Sequence, residues 1–90
     1  MTLRREVPLL HRTGLHLRAA GRFAETAGRF NSDIRICAGG RDVDGKSVID
    51  ILTLGAGPGI QLEITAEGSD AEAALDELEA LVRDNFGEEA

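Results

Sequence analysis

The run IQLEITAEGSDAEAALDELEALVRDNFG, residues 60–87, changes its apolar period once along its length, and that change decides the fold class. Ile60, Leu62, Ile64 and Ala66 alternate with Gln61, Glu63, Thr65 and Glu67, the period of a strand with one wet face. Such a strand belongs in an antiparallel sheet covered on a single side. Ser69-Asp70-Ala71-Glu72 then has capping-box form. It opens a helix in which Ala71, Ala74, Leu75, Leu78, Leu81, Val82 and Phe86 share one face, with Gly87 as its stop. An apolar sheet face and an apolar helix face must bury each other.

Upstream, the same two periods recur. Leu3, Val7 and Leu9 alternate with Arg4, Glu6 and Pro8, which predicts a strand over 3–10, at a sheet edge because Pro8 has no N–H to donate. After the break at Thr13-Gly14, Ala20, Phe23, Ala24, Ala27 and Phe30 recur at helical spacing from about residue 16, and Asn31-Ser32 ends that helix. Ile34, Ile36 and Ala38 alternate again, Gly39-Gly40 signals a hairpin, and Arg41–Asp44 returns. Residues 47–54 fit a short helix with Ser47 as its N-cap, in which Val48 and Ile51 are expected to face different ways. Residues 55–59, Gly-Ala-Gly-Pro-Gly, are a loop. Strand, helix, strand, strand, short helix, strand, helix is the order of a two-layer α+β sandwich, one domain over 1–90 without repeat or linker.

Composition narrows the function. Ninety residues bury roughly 60–65% of the unfolded surface, enough for a two-layer core but not for a deep interdomain cleft. With three Phe, no Trp and no Tyr there is no aromatic platform for bases. The net charge of −6 argues against nucleic acid and against direct membrane contact. It is uneven: residues 1–50 carry +3 and residues 51–90 carry −9, so a basic patch in the first half suits an acidic partner protein. Cys37 is alone, and no Cys/His group has zinc-ligand spacing, so neither a disulfide nor a metal is expected. No apolar run is long enough for a signal peptide or a membrane span, which predicts a cytoplasmic protein. No cofactor fingerprint and no nucleophile–base–acid set is visible, so a free-standing enzyme is not expected.

Two histidines remain. His11 follows the first strand without an evident partner and reads as a solvent-exposed residue. His16 stands where the Gly14 turn becomes a helix. A helix start offers unpaired N–H groups and about half a positive charge, a ready place for phosphate. An imidazole there can attack phosphorus, and the added oxygens would meet the N–H groups of Leu17, Arg18 and Ala19, with the Arg18 guanidinium in reach. An ordinary capping histidine fits the same spacing.

Residues 14–20, Gly-Leu-His-Leu-Arg-Ala-Ala, continuing through Phe23, Ala27 and Phe30, resemble the active-site signature of the HPr family, the histidine phosphocarriers of the bacterial phosphoenolpyruvate-dependent phosphotransferase system. Gly45-Lys46-Ser47-Val48-Ile49 with Leu52-Thr53-Leu54-Gly55, and residues 64–70, carry the resemblance along nearly the whole chain. It implies an open-faced sandwich of a four-stranded antiparallel sheet covered on one face by three helices. It also implies that His16 is phosphorylated by Enzyme I, that Arg18 accompanies it, and that an EIIA-type acceptor or a regulatory protein receives the phosphoryl group. Ser47 matches the serine that a dedicated HPr kinase/phosphorylase modifies in some bacteria; plain N-cap use is the alternative. The family's docking surface would draw charge from Arg18, Arg22, Arg29 and Lys46, and apolar contact from Val48, Leu52 and Leu54. The family usually has a small residue where Leu17 stands and proline where Ala19 stands. Losing a first-turn proline should reduce rigidity by about 0.4–1 kcal/mol. Two other readings stay open: a regulatory binding module controlled through Ser47, and a small-molecule-binding domain using the loop at 55–59.

Overall fold

Strand β4 (Gln61–Glu67) lies inside the sheet, because its alternation gives it one face to bury while both of its edges pair. In the computed structural model, which describes residues 1–88, it runs antiparallel to β1 (Thr2–Pro8) on one side and to β2 (Asp33–Ala38) on the other. Strand β3 (Arg41–Asp44) adds to the outer edge of β2, so the order is β1-β4-β2-β3. Register places Val7 opposite Leu62, Ile34 opposite Ala66 and Ile36 opposite Ile64, aligning the apolar rows of neighbouring strands. Pro8 stands opposite Gln61 on edge strand β1, where its missing N–H does least harm.

Helices α1 (Leu17–Ala27), α2 (Val48–Leu52) and α3 (Ala71–Arg83) cover one face of the sheet. The fully buried side chains come from both layers: Val7, Ile34, Ile36, Leu62 and Ile64 below, Phe23, Ile51, Leu75 and Leu78 above. Each contributes about 1.5–3 kcal/mol relative to exposure. Arg5, on the inward side of β1 at the margin of the core, meets Asp76 at 2.8 Å and Glu79 at 2.9 Å and so pins α3 to the edge strand.

Several boundaries differ from the sequence expectation, each for a tertiary reason. Strand β1 ends at Pro8, although the Leu9 N–H still reaches Ile60 O at 2.9 Å. Helix α1 ends at Ala27, with Gly28 as its C-cap and Phe30 half-buried beyond it. The N-cap of α3 is Asp70, and its carboxylate does not cap the helix. It accepts instead from Asn31 N (2.8 Å), Ser32 N (3.0 Å) and Ser32 Oγ (2.5 Å), tying α3 to the entry of β2. Gly68 permits this approach, since a Cβ there would lie 2.7 Å from Ser32 Cα and its φ is +152°. In α2, Val48 packs on the core beside Ile51; three residues apart on a helix they share a face, against the expectation of opposite ones.

The last correction bears on the site. Helix α3 does not run on through Phe86 but stops at Arg83. Asn85 and Phe86 take φ of 53° and 58°, left-handed values that side chains other than glycine adopt at a cost of about 1–2 kcal/mol each. The fully buried Phe86 ring offsets that cost, and Arg22 donates to the Phe86 carbonyl. The turn reverses the chain and aims residue 88 at the start of α1.

Candidate functional site

Gly14 begins the site. Its φ of +70° is left-handed, and a Cβ would sit 2.6 Å from the Ala56 carbonyl oxygen. The next N–H, of Leu15, donates to that same oxygen at 2.9 Å, so the loop at 55–59 braces the entry to α1. His16 follows in extended conformation as the N-cap of α1. The first helical bond runs from Ala20 N to His16 O at 2.8 Å, which leaves the N–H groups of Leu17, Arg18 and Ala19 outside the helical ladder.

The Arg18 N–H donates to Nδ1 of His16 at 3.2 Å. A backbone amide can only donate, so Nδ1 carries the lone pair and Nε2 carries the proton of the neutral ring. That Nε2–H lies 3.0 Å from Oε1 of Glu88. The other oxygen of Glu88, Oε2, accepts from Arg18 Nη1 at 2.9 Å. The imidazole is thus gripped at both nitrogens, by an amide on one side and a carboxylate on the other. Its side chain is 30% exposed, accessible rather than buried in the core.

Glu88 is a site residue that the sequence pattern does not reveal. It lies 72 positions from His16, and no periodicity announces a contact made through a left-handed turn. Burial pushes its carboxyl pKa up, but hydrogen bonds from Arg18 and His16 and their charges outweigh this and hold it below the usual carboxylate value.

His11 corrects a second expectation. It is 5% exposed, not solvated, and its ring centre lies 5.1 Å from that of His16. Its Nδ1 faces Thr13, with Oγ1 at 2.7 Å and the backbone N at 3.2 Å. Its Nε2 comes within 3.2 Å of the same Glu88 Oε1 but without hydrogen-bond geometry, and has no other partner among the described residues. His11, His16 and Glu88 offer three ligand-type atoms within 4.8 Å of one another, on the wall of an open cleft that Leu17 and Arg18 also line.

The other candidates divide. Arg18 is at the site, with its side chain 68% exposed. Arg22 is committed to the Phe86 carbonyl and holds the C-terminal turn. Arg29 is exposed, 3.7 Å from Glu25, and Lys46 is exposed with Nζ on Phe30 O at 2.8 Å. Val48 and Leu54 pack against the core, and on α1 and α2 the large apolar side chains presented outward are Leu17, Ile49 and Leu52, of which Ile49 is not among those expected. Ser47 caps α2, its Oγ accepting from Asp50 N at 3.2 Å.

Comparison with known proteins places the chain as a whole. A family profile described as "PTS HPr component phosphorylation site" matches residues 3–84. The chain is 36% identical over 86 residues to the phosphocarrier protein HPr of Cupriavidus necator, covering 96% of this chain and 97% of that one. It is 38% identical over 86 residues to the phosphocarrier protein NPr of Shewanella violacea, covering 96% and 94%. The crystal structure of HPr-C-His from Thermoanaerobacter tengcongensis superposes with a TM-score of 0.92 at 35% identity, covering 98% of this chain and 99% of that one.

Proposed function

The chain belongs to the HPr family of phosphotransferase-system phosphocarriers, and we propose that it carries the phosphoryl group on Nδ1 of His16, taken from phosphorylated Enzyme I and passed to a histidine of an EIIA-type or regulatory protein. The observation that supports this reading above the others is the two-sided grip on the imidazole. The Arg18 amide faces Nδ1, and Glu88 holds the proton on Nε2.

The Nδ1 lone pair attacks phosphorus as the bond from phosphorus to the donor's nitrogen breaks, so one P–N bond replaces another. The ring then bears phosphorus on Nδ1 and hydrogen on Nε2 and is positively charged. Glu88 Oε1, already on that hydrogen, opposes the charge. The incoming oxygens take the N–H groups of Leu17, Arg18 and Ala19, where the start of α1 favours an anion. The exposed Arg18 guanidinium turns from Glu88 to the phosphoryl group. Return transfer reverses these steps, and the protein emerges unchanged: a covalent intermediate in its partners' reactions rather than an enzyme with its own turnover.

Incubation with Enzyme I and phosphoenolpyruvate should give one acid-labile phosphoryl group per chain, and His16→Ala should give none. Undiminished labelling of His16→Ala overturns the assignment. Ser47 supports a second, regulatory reading through its place as the half-buried N-cap of α2. A phosphate there would meet the Asp50 carboxylate in the same first turn and add negative charge to the face on which an acidic donor docks. Acid-stable label from ATP and a serine kinase, lost in Ser47→Ala, is its signature.

A further inference from the structure

We propose that His11, His16 and Glu88 form a binding site for a divalent transition-metal ion of the zinc type, and that metal held there withholds His16 from phosphoryl transfer. The first half stands on geometry alone; the second rests on the phosphocarrier reading above.

Two imidazoles and one carboxylate are a donor set that zinc accepts, with a fourth position left open. Bonds of roughly 2.0–2.1 Å in a tetrahedron set neighbouring donor atoms about 3.3 Å apart. Here Oε1 of Glu88 lies 3.0 Å from Nε2 of His16 and 3.2 Å from Nε2 of His11. All three donor atoms fall within 4.8 Å, and the half-exposed His16 ring has room to close the remaining gap.

The independent observation is His11. Its side chain is 6% exposed, and Nε2 lies 3.2 Å from Glu88 Oε1, off the hydrogen-bond axis and with no hydrogen-bond partner among the described residues. A buried polar atom left so is costly, and an ion is one way to satisfy it. Metal on Nε2 requires the ring proton on Nδ1, so the Thr13 N–H gives up its 3.2 Å bond to Nδ1, and Thr13 Oγ1, 2.7 Å away, is there to accept the relocated proton. Arg18 opposes the ion electrostatically, but it uses Oε2 of Glu88, leaves Oε1 to the metal, and has an exposed side chain free to swing.

At His16 the same requirement becomes inhibition. Metal on Nε2 moves the ring proton to Nδ1, which consumes the lone pair that attacks phosphorus and gives up the bond from the Arg18 amide. Metal and phosphoryl group therefore compete for one ring without sharing an atom of it.

Isothermal titration of Zn²⁺ into the metal-free full chain, with long-range ¹H–¹⁵N spectra of the histidine rings, tests the site. One ion should bind per chain, the Nε2 resonances of both histidines should shift, and both rings should change to the Nδ1–H tautomer. Glu88→Gln and His16→Ala should each weaken binding at least tenfold. Absence of saturable binding, shifts confined to one ring, or unchanged affinity in Glu88→Gln overturns the proposal. His11→Gln, outside the phosphoryl-transfer machinery, should label with Enzyme I and phosphoenolpyruvate at the parent rate but lose inhibition by zinc; equal inhibition of both proteins overturns the masking role. Zinc bound by these three residues together with label on another residue would leave the site standing and remove the phosphocarrier assignment. Label on His16 without zinc binding would do the reverse.

Discussion

At the residue scale, the proposed mechanism has Arg18 leave Glu88 for the phosphoryl group while Glu88 stays on Nε2 of His16. Glu88 holds the Arg18 guanidinium at 2.9 Å and, through its other oxygen, the His16 ring, so it keeps the two side by side. Arg18→Ala should slow the initial rate of labelling roughly tenfold or more, equivalent to about 1.4 kcal/mol of transition-state stabilisation; an unchanged rate would remove Arg18 from the mechanism. Asp70 makes a separate, structural prediction. Hydrogen bonds from Ser32 and the Asn31 amide pull its carboxyl pKa down against burial, which raises it. A carboxyl depressed in the folded state contributes stability above its unfolded pKa and loses it as pH falls through the lower, folded value. Acid unfolding of the parent should therefore include an Asp70 contribution below the ordinary value of 3.8, and Asp70→Asn should flatten that part of the stability–pH curve.

At the scale of elements, the start of α1 and the turn after α3 are the two pieces that build the site. Gly14→Ala forces a Cβ into the Ala56 carbonyl, so it should lower stability and the labelling rate together. Phe86→Ala should cost about 3–5 kcal/mol in urea unfolding, as for other buried aromatics. It should also free Glu88 and so weaken the hold on the His16 ring. Ser47→Ala should cost about 1 kcal/mol through the lost cap. The strands were legible because alternation against a one-sided core is a local pattern: β2, β3 and β4 begin and end within a residue or two of where it put them. The starts of the helices were legible for the same reason, at His16 and Ser47. The ends of α1 and α3 were not, because each is decided by a distant contact: the turn onto β2, and Phe86 returning to the core. Asp70 read as part of a cap for the same reason, its true partners lying 38 and 39 residues away. Leu17 and Ala19, the two departures from the family's usual residues, both fit the observed helix start, Ala19 buried and Leu17 exposed beside the ring.

At the scale of the whole molecule, the proposed docking of an acidic donor rests on cations and exposed apolar side chains around α1 and α2 of an acidic chain. Arg18, Arg29 and Lys46, with exposed Leu17, Ile49 and Leu52, all lie within residues 17–52, on or beside α1 and α2, and these two helices pack together on one side of the sheet. The rate of phosphoryl transfer from Enzyme I should therefore fall as salt rises, the mark of steering between opposite charges; a salt-independent rate would separate docking from this face. His16 was visible in sequence because its signature is local. The other two members of its cluster were not: His11 looked solvated because nothing near it in sequence covers it, and Glu88 is brought in only by the closed fold. No helix among the described residues is long and apolar enough to cross a membrane.

The most direct measurement is a long-range ¹H–¹⁵N spectrum, with ³¹P coupling, of the uniformly ¹⁵N-labelled protein after phosphorylation by Enzyme I and phosphoenolpyruvate. Phosphorus should couple to Nδ1 of His16, with a proton retained on Nε2. Phosphorus on Nε2, or on any residue other than His16, would contradict the account.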